Sequence, residues 1–380
     1  ITRVRIGPQV KDIPRQAFSG CANLVEVQFG KRVQAIGVHA FSGCEALQEV
    51  VIPPSVIKLD NCAFLRCTNL AKVQLHEGLE MIEESAFEGC KALQQVLIPS
   101  SVTKLGSAFG DCINLAGVQF NEGLEIIEDS AFSGCTALQQ VILPSSVTRL
   151  GGWAFSGCSN LASVQFGEGL EIIGVCAFYE CSNLASVQFS EGLEIIGNSA
   201  FDHCTALRSV TVPSSVTKLG YKAFGDCTNL TEVILLGGER LLNQGFLDRG
   251  LLDGERALNK NKLHEMIGHG NALRDDCQLA TSAFVRCPLT TLKISIPRAL
   301  SERMERLPRE CRLSIEQRVH DLRRLELTQD GNVLACFPLI CRPYWNSVED
   351  TNDETAESLH QVLQLISFHE LKESSILLEL

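Results

Sequence analysis

Seventeen cysteines are the first residues in this chain to weigh for chemistry. Thiolates bind zinc, attack electrophiles and form disulfides. Ten of them fall at Cys21, Cys44, Cys67, Cys90, Cys112, Cys135, Cys158, Cys181, Cys204 and Cys227, at intervals of 23 with a single 22. No C-x-x-C pair occurs, which argues against a zinc ribbon. Stacked neighbours would lie within disulfide reach. A small buried thiol, however, also fills a tight column as a hydrophobe. Free buried thiols are the reading taken here, and with them a reducing, cytoplasmic compartment; a cell-surface location is the alternative. Cys336 and Cys341 stand apart and read as packing residues.

Other candidate chemistry is thin. His264, Glu265 and His269 imitate a zinc-protease helix, but the histidines are five apart rather than four and Gly268 weakens the helix. Asp350, Asp353, Glu354 and Glu357 lack the order and central glycine of a calcium loop and read as the acidic start of a helix. Arg298, Arg303, Arg306, Arg309, Arg312, Arg318, Arg323 and Arg324 are interleaved with acids, the pattern of a salt-bridged surface. An anion patch in this tail is the sharper alternative. No Walker loop and no nucleophile elbow occurs. The expectation is therefore no enzyme, no metal and no cofactor.

Composition bounds the partners. Of 380 residues 45% are hydrophobic, ample for a core, and the net charge is −12, which opposes nucleic acid or an anionic membrane as main partner. No apolar run approaches the ~18–20 residues that cross a bilayer. The chain opens at Ile1 without a methionine and reads as a fragment, so the lack of a signal peptide says nothing.

The elements that must carry these residues come from one repeat, A-F-x-x-C-x-[NA]-L. Its phenylalanines are Phe18, Phe41, Phe64, Phe87, Phe109, Phe132, Phe155, Phe178, Phe201 and Phe224, 23 apart except for 22 between Phe87 and Phe109. Such a period predicts a solenoid whose coils are too small to bury their own apolar face. In one coil, Val96 and Ile98 point inward from a short strand, Pro99 to Ser101 turn, Val102 to Gly106 form a second extended piece, and Ala108 to Cys112 close with a helical turn. The 22-residue interval predicts a tightened turn at Gly106 to Ala108, with the phenylalanine and cysteine columns kept in register.

These residues resemble the BspA-like leucine-rich repeat family, over about Val4 to Leu235, with Val4 to Ile6 and Val10 to Phe18 as a partial first coil. No asparagine follows the strand as in commoner leucine-rich repeats. The resemblance implies protein binding or surface adhesion and offers no catalytic residue to carry over.

Coils with Asn-Leu (Asn23, Asn69, Asn114, Asn160) alternate with coils with Ala-Leu (Ala46, Ala92, Ala137), and Asn183 breaks the alternation. The unit of expansion is thus a pair of coils. Outward positions on the strand face include Gln28, Gln74, Gln119, Gln165 and Gln188, the candidate binding residues for a protein or extended polymer. Glu80, Glu125, Glu171 and Glu194 make a spaced acidic stripe that reads as solvated.

The expected organisation is a solenoid of about ten coils over 1–238, degenerate repeats with an insertion over 239–297, and a mainly helical cap or docking segment over 298–380. The whole is a leucine-rich-repeat superhelix of short parallel strands and helical turns with an α-helical C-terminal cap. In the tail, Ser314 to Gln317 form a capping box for a helix through Leu327. The function expected is a non-catalytic protein-interaction scaffold, with surface adhesion or a tail-borne site as alternatives.

Overall fold

The computed structural model describes residues 1–236, 283–295, 303–320, 322, 324–327, 333–342, 345–348, 358, 361, 362 and 364–370. Of the degenerate stretch expected over 239–297 only 283–295 are among those residues, and the His264–His269 pair and Asp350 to Glu357 lie outside them.

Each coil places two short parallel strands at opposite corners. One corner forms a ten-stranded parallel sheet of two-residue strands from Asp12–Ile13 to Lys218–Leu219, each pairing with the next coil. The other carries the face strands, such as Lys72–Gln74, Gln95–Ile98 and Gly117–Phe120. Alternation puts Val73, Val96 and Ile98 inside and Gln74 and Leu97 outside.

The core between the corners is a set of columns. Ten stacked steps run from Phe18 to Phe284 with ring centroids 5.1–5.4 Å apart and planes within 13°. Phe29, Phe120, Phe166 and Phe189 meet this ladder edge-on at 5.7–5.8 Å, a favoured aromatic geometry. The rings from Phe41 to Phe224 are fully buried.

The closing turn alternates bonds within and between coils. Cys44 N–H donates to Phe41 C=O at 3.3 Å, while Phe41 N–H donates to Ala63 C=O of the next coil at 2.8 Å. A continuous helix is prevented by two left-handed residues per turn, two before and two after the phenylalanine. All the non-glycine residues with positive φ fall in these two columns, Trp153 (φ 51) and Glu180 (φ 59) among them. The shortened coil drops one of them. Ser107 is not left-handed, and Ala108 N–H donates to Gly106 C=O at 2.6 Å where other coils reach one residue further back. Phe109 stays in register, 5.3 Å from Phe87 and 5.4 Å from Phe132. The tightened turn is as expected.

The two-coil period has a physical cause. Face-strand ladders join each Ala-Leu coil to the Asn-Leu coil after it, as in Glu49–Val51 with Lys72–Gln74 and Gln95–Ile98 with Gly117–Phe120. No ladder joins Lys72–Gln74 to Gln95–Ile98, or Gly117–Phe120 to Gln140–Ile142. At those seams a glutamate does the joining. Glu77 accepts from the backbone N–H of Ser100 and Ser101 at 3.1 Å, and Glu122 from Ser145 and Ser146 at 3.2 and 3.1 Å. Ser101 Oγ donates onward to Leu79 C=O at 2.7 Å. Where Asn183 breaks the alternation, the ladder runs on from Ser163–Gln165 to Ser186–Gln188.

Those clamps are acid-sensitive. Hydrogen bonds from the Ser100 backbone to Glu77, and from Ser145 to Glu122, hold both carboxyls below the usual glutamate range. A depressed folded pKa adds stability above the unfolded value, which is lost as pH falls through the folded one. We expect the array to loosen below the ordinary glutamate range. A Glu77→Gln, Glu122→Gln variant followed by circular dichroism during acid titration should lose part of that acid limb.

The coil after Glu232–Leu235 is supplied by residues from Ala283 onward, where Phe284 stacks on Phe224 at 5.3 Å and Thr291–Ser295 pairs in parallel with Glu232–Leu235. One further coil, at Phe284, thus lies within the stretch expected to hold degenerate repeats. The helical part expected in the tail is the helix Arg309–His320, which buries Ile315 and Val319. It begins earlier than Ser314 because Pro308 C=O accepts from Arg312 N–H at 3.0 Å and so starts the first turn. It also stops short of Leu327. Leu325–Leu327 instead pairs with Val333–Arg342, which lies antiparallel on the last face strand and covers that sheet edge. Three strands, with Trp345–Val348 the third, thus accompany the helix. Among the described residues no helix is long and apolar enough to cross a membrane.

Candidate functional site

The outward column of the face strands is the most extended chemical surface in the array. Gln28, Gln74, Gln119, Gln165 and Gln188 all lie on it and are exposed. Only Gln165 and Gln188 stand side by side. The others are separated by aliphatic side chains in the same register, Val51 beside Gln74, Leu97 beside Gln119 and Ile142 beside Gln165. Val51, Leu97 and Ile142 are 44%, 45% and 53% exposed. The face is therefore amide and aliphatic in turn rather than uniformly polar. The alternation is visible in the sequence once the column is written out.

Charge on this face is confined to its ends. Arg3 pairs with Glu26 at 3.3 Å and Lys72 with Glu49 at 2.8 Å near the N-terminus. Gln28 donates to Glu26 at 2.8 Å. At the other end Lys293 bridges Glu232 and Glu326, at 2.5 and 2.7 Å. Between them the second outward column is uncharged: Gln95, Gly117, Gln140, Ser163, Ser186 and Ser209. Gly117 opens a concavity of about 650 Å³ bordered by Lys72, Gln95, Leu97 and Gln119.

The cysteine column is sealed. The described cysteines are free thiols, and those from Cys44 to Cys227 in the column are buried. Each thiol donates to the phenylalanine carbonyl one coil back, as Cys135 does to Phe109 at 3.2 Å and Cys158 to Phe132 at 3.3 Å. Burial pushes the Cys112 and Cys158 thiols up to about 12. Protonated and enclosed, they are poor nucleophiles and poor metal ligands. We expect native protein to react slowly with a thiol reagent and unfolded protein to react at most of its 17 sites. Peptide mapping without reductant that found disulfides between successive coils would overturn this.

One cluster of metal-ligating types occurs among the described residues: Asp202, His203 and Asp226. Its charge is already balanced. Asp202 Oδ1 lies 2.9 Å from His203 Nδ1, and Asp226 has Lys222 at 3.6 Å and Arg286 at 3.4 Å. A divalent cation would have to displace two basic side chains. Elsewhere, Glu80, Glu125, Glu171 and Glu194 are exposed, as a solvated stripe requires. In the tail Arg303 is engaged by Glu370 through two bonds of 3.0 and 2.8 Å, which removes it from any anion patch.

Residues 1–116 and 106–231 match the model of the BspA type leucine rich repeat region, in six copies. No curated protein matches the chain. Among solved structures, a leucine rich cell surface protein from Faecalibacterium prausnitzii is 24% identical, covering 65% of this chain and 85% of its own, with a TM-score of 0.42. A leucine-rich repeat protein from Bacteroides ovatus is 26% identical over 62% of this chain and 78% of its own, with a TM-score of 0.39. One from T. pallidum is 28% identical over 54% and 78%, with a TM-score of 0.33.

Proposed function

Because the chain belongs to the BspA-type leucine-rich repeat family, we propose that it is a non-catalytic protein-binding scaffold whose contact surface is the face-strand column and whose tail covers the end of the array. The observation that carries this reading is the column itself. Fixed spacing holds a long row of exposed amides and aliphatics on a rigid core. Solenoids bind across such extended surfaces, and amides supply both donors and acceptors. Sealed thiols and charge-balanced carboxylates leave the array suited to recognition rather than bond making.

Binding spread over near-identical coils should fall in fractions. We expect Gln119→Glu with Gln165→Glu, made in the full chain, to weaken a captured partner modestly while leaving the melting curve unchanged. Affinity capture with the parent and variant chains, quantified by mass spectrometry, tests it. A partner that ignores these changes but is lost on substituting exposed tail residues such as Leu313 and Phe368 would make the tail the functional element.

A further inference from the structure

We propose that the array is a row of stiff blocks hinged along one corner, so that the strand face opens and closes at its seams while the ten-stranded corner and the core stay packed. This holds whatever the face binds and stands independently of the reading above. The starting observation is that the two corners of each coil are tied differently. The ten-stranded sheet runs through every coil, seams included: Met81–Ile82 pairs with Lys104–Leu105 and Ile126–Ile127 with Arg149–Leu150. The face strands are grouped instead. Glu49–Val51 joins Lys72–Gln74, Gln95–Ile98 joins Gly117–Phe120, and Gln140–Ile142 joins Ser163–Gln165 and Ser186–Gln188.

The backbone bonds at the start of each face strand follow the same grouping. Within a block, Lys72 N–H donates to Gln48 C=O at 3.2 Å and Gly117 N–H to Gln94 C=O at 3.3 Å. Among the described residues Gln95 and Gln140, the first strand residues beyond a seam, make no such bond to the coil before. The core shows no matching gap. Ring centroids across these seams, Phe64 to Phe87 and Phe109 to Phe132, are 5.4 Å apart, and Phe155 to Phe178 within a block is the same 5.4 Å. Phe120 also lies edge-on against Phe132 across the second seam. A joint with a continuous sheet on one side, a filled core in the middle and no ladder on the other side has the build of a hinge.

What spans the open side is side-chain chemistry. At the first of these seams Glu77 takes the N–H groups of Ser100 and Ser101, and Gly78 N–H donates to Ser101 Oγ at 3.0 Å. At the second, Glu122 takes those of Ser145 and Ser146, and Gly123 N–H donates to Ser146 Oγ at 3.0 Å. The two carboxylates are exposed. Hydrogen bonds of this kind exchange with water and contribute little net free energy, so they limit the opening without locking it. The concavity of about 650 Å³ lies on the first seam, with residues 71–73 on one bank and 94–97 and 117–119 on the other. That is the shape of a joint parted on its outer side.

The test uses the full chain and distances between pairs of spin labels, attached through a keto amino acid so that the thiols take no part. A label pair at Gln74 and Gln165 spans both seams on the face. A pair at Glu80 and Glu171, exposed residues just before Met81–Ile82 and Ile172–Ile173, spans the same coils on the ten-stranded corner. In the parent chain the face pair should give the broader distance distribution. In the Glu77→Gln, Glu122→Gln chain the face pair should shift to longer distances while the corner pair stays in place, with circular dichroism showing the fold retained. Equal breadth of the two pairs in the parent, a comparison that needs no clamp variant, overturns the inference. So does a face pair unmoved in the variant, or an equal shift of both pairs, which would mean that the coils part as a whole.

Discussion

Phe132→Ala should cost about 3–5 kcal/mol, the range for emptying a large aromatic site in a packed core. Phe132 is fully buried between Phe109 at 5.4 Å and Phe155 at 5.1 Å, with the edge of Phe120 against it at 5.7 Å. Removing it opens a gap that its neighbours cannot close, because each ring is held by its own coil. The loss should stay local, since coils touch only their neighbours. We therefore expect a urea melt in which part of the signal unfolds early and the remainder near the parental midpoint, a departure from two-state behaviour. Phe132→Leu should recover much of the loss. A single unshifted transition in the alanine variant would refute the ladder as the core.

Gly174→Ala should be strongly damaging for so small a change, at about 1–3 kcal/mol for forced overpacking. Gly151, Gly174, Gly197 and Gly220 succeed one another in a column where a Cβ would meet the backbone of the coil before. A Cβ on Gly174 would lie 2.4 Å from Gly151 C and 2.6 Å from Gly152 N. Both are backbone atoms, so no flexible side chain can retreat, and the coils must part. Gly117 supplies the control. A Cβ there meets only Gln95 Cγ at 3.8 Å, and Gly117→Ala should melt close to the parent. Thermal melts of the two variants side by side decide the matter, and equal melting points would mean that the glycine column is not the close contact.

Which of these features could be read in the sequence follows from their range. The phenylalanine and cysteine columns recur at one period, so stacking them needs no three-dimensional knowledge, and the single 22 pointed to the turn at Gly106. The clamp of Glu77 on Ser100 was present as a regular succession of Glu-Gly-Leu coils and Pro-Ser-Ser coils. Its meaning emerges only when residues 23 apart are brought to bonding distance. The left-handed position two residues after the phenylalanine was signalled by glycine at Gly20, Gly43, Gly89, Gly134 and Gly157. The one two residues before it left no signature, since Gln16, Trp153 and Lys222 share nothing but their place in the turn. Strand Val333–Arg342 was hidden for another reason. It is a continuous apolar run interrupted by Pro338, and its strand character comes from Thr291–Ser295, the edge it completes. On the face, the glutamines were legible and the aliphatics between them were undervalued, since an exposed isoleucine in isolation means little.

The resumption of the array at Ala283 bears on how such a protein can be altered. Leu236 and Ala283 are 47 positions apart in the sequence, yet Phe284 takes the next place on Phe224 as though nothing intervened. Lengthening an excursion costs little, about 0.6 kcal/mol for each doubling, whereas docking the next coil restores a ring stack and a strand ladder. The junction is therefore a permissive port. Foreign sequence whose ends meet could be spliced there, by recombination or by an engineer, and the solenoid would display it as a side branch while its own register was preserved.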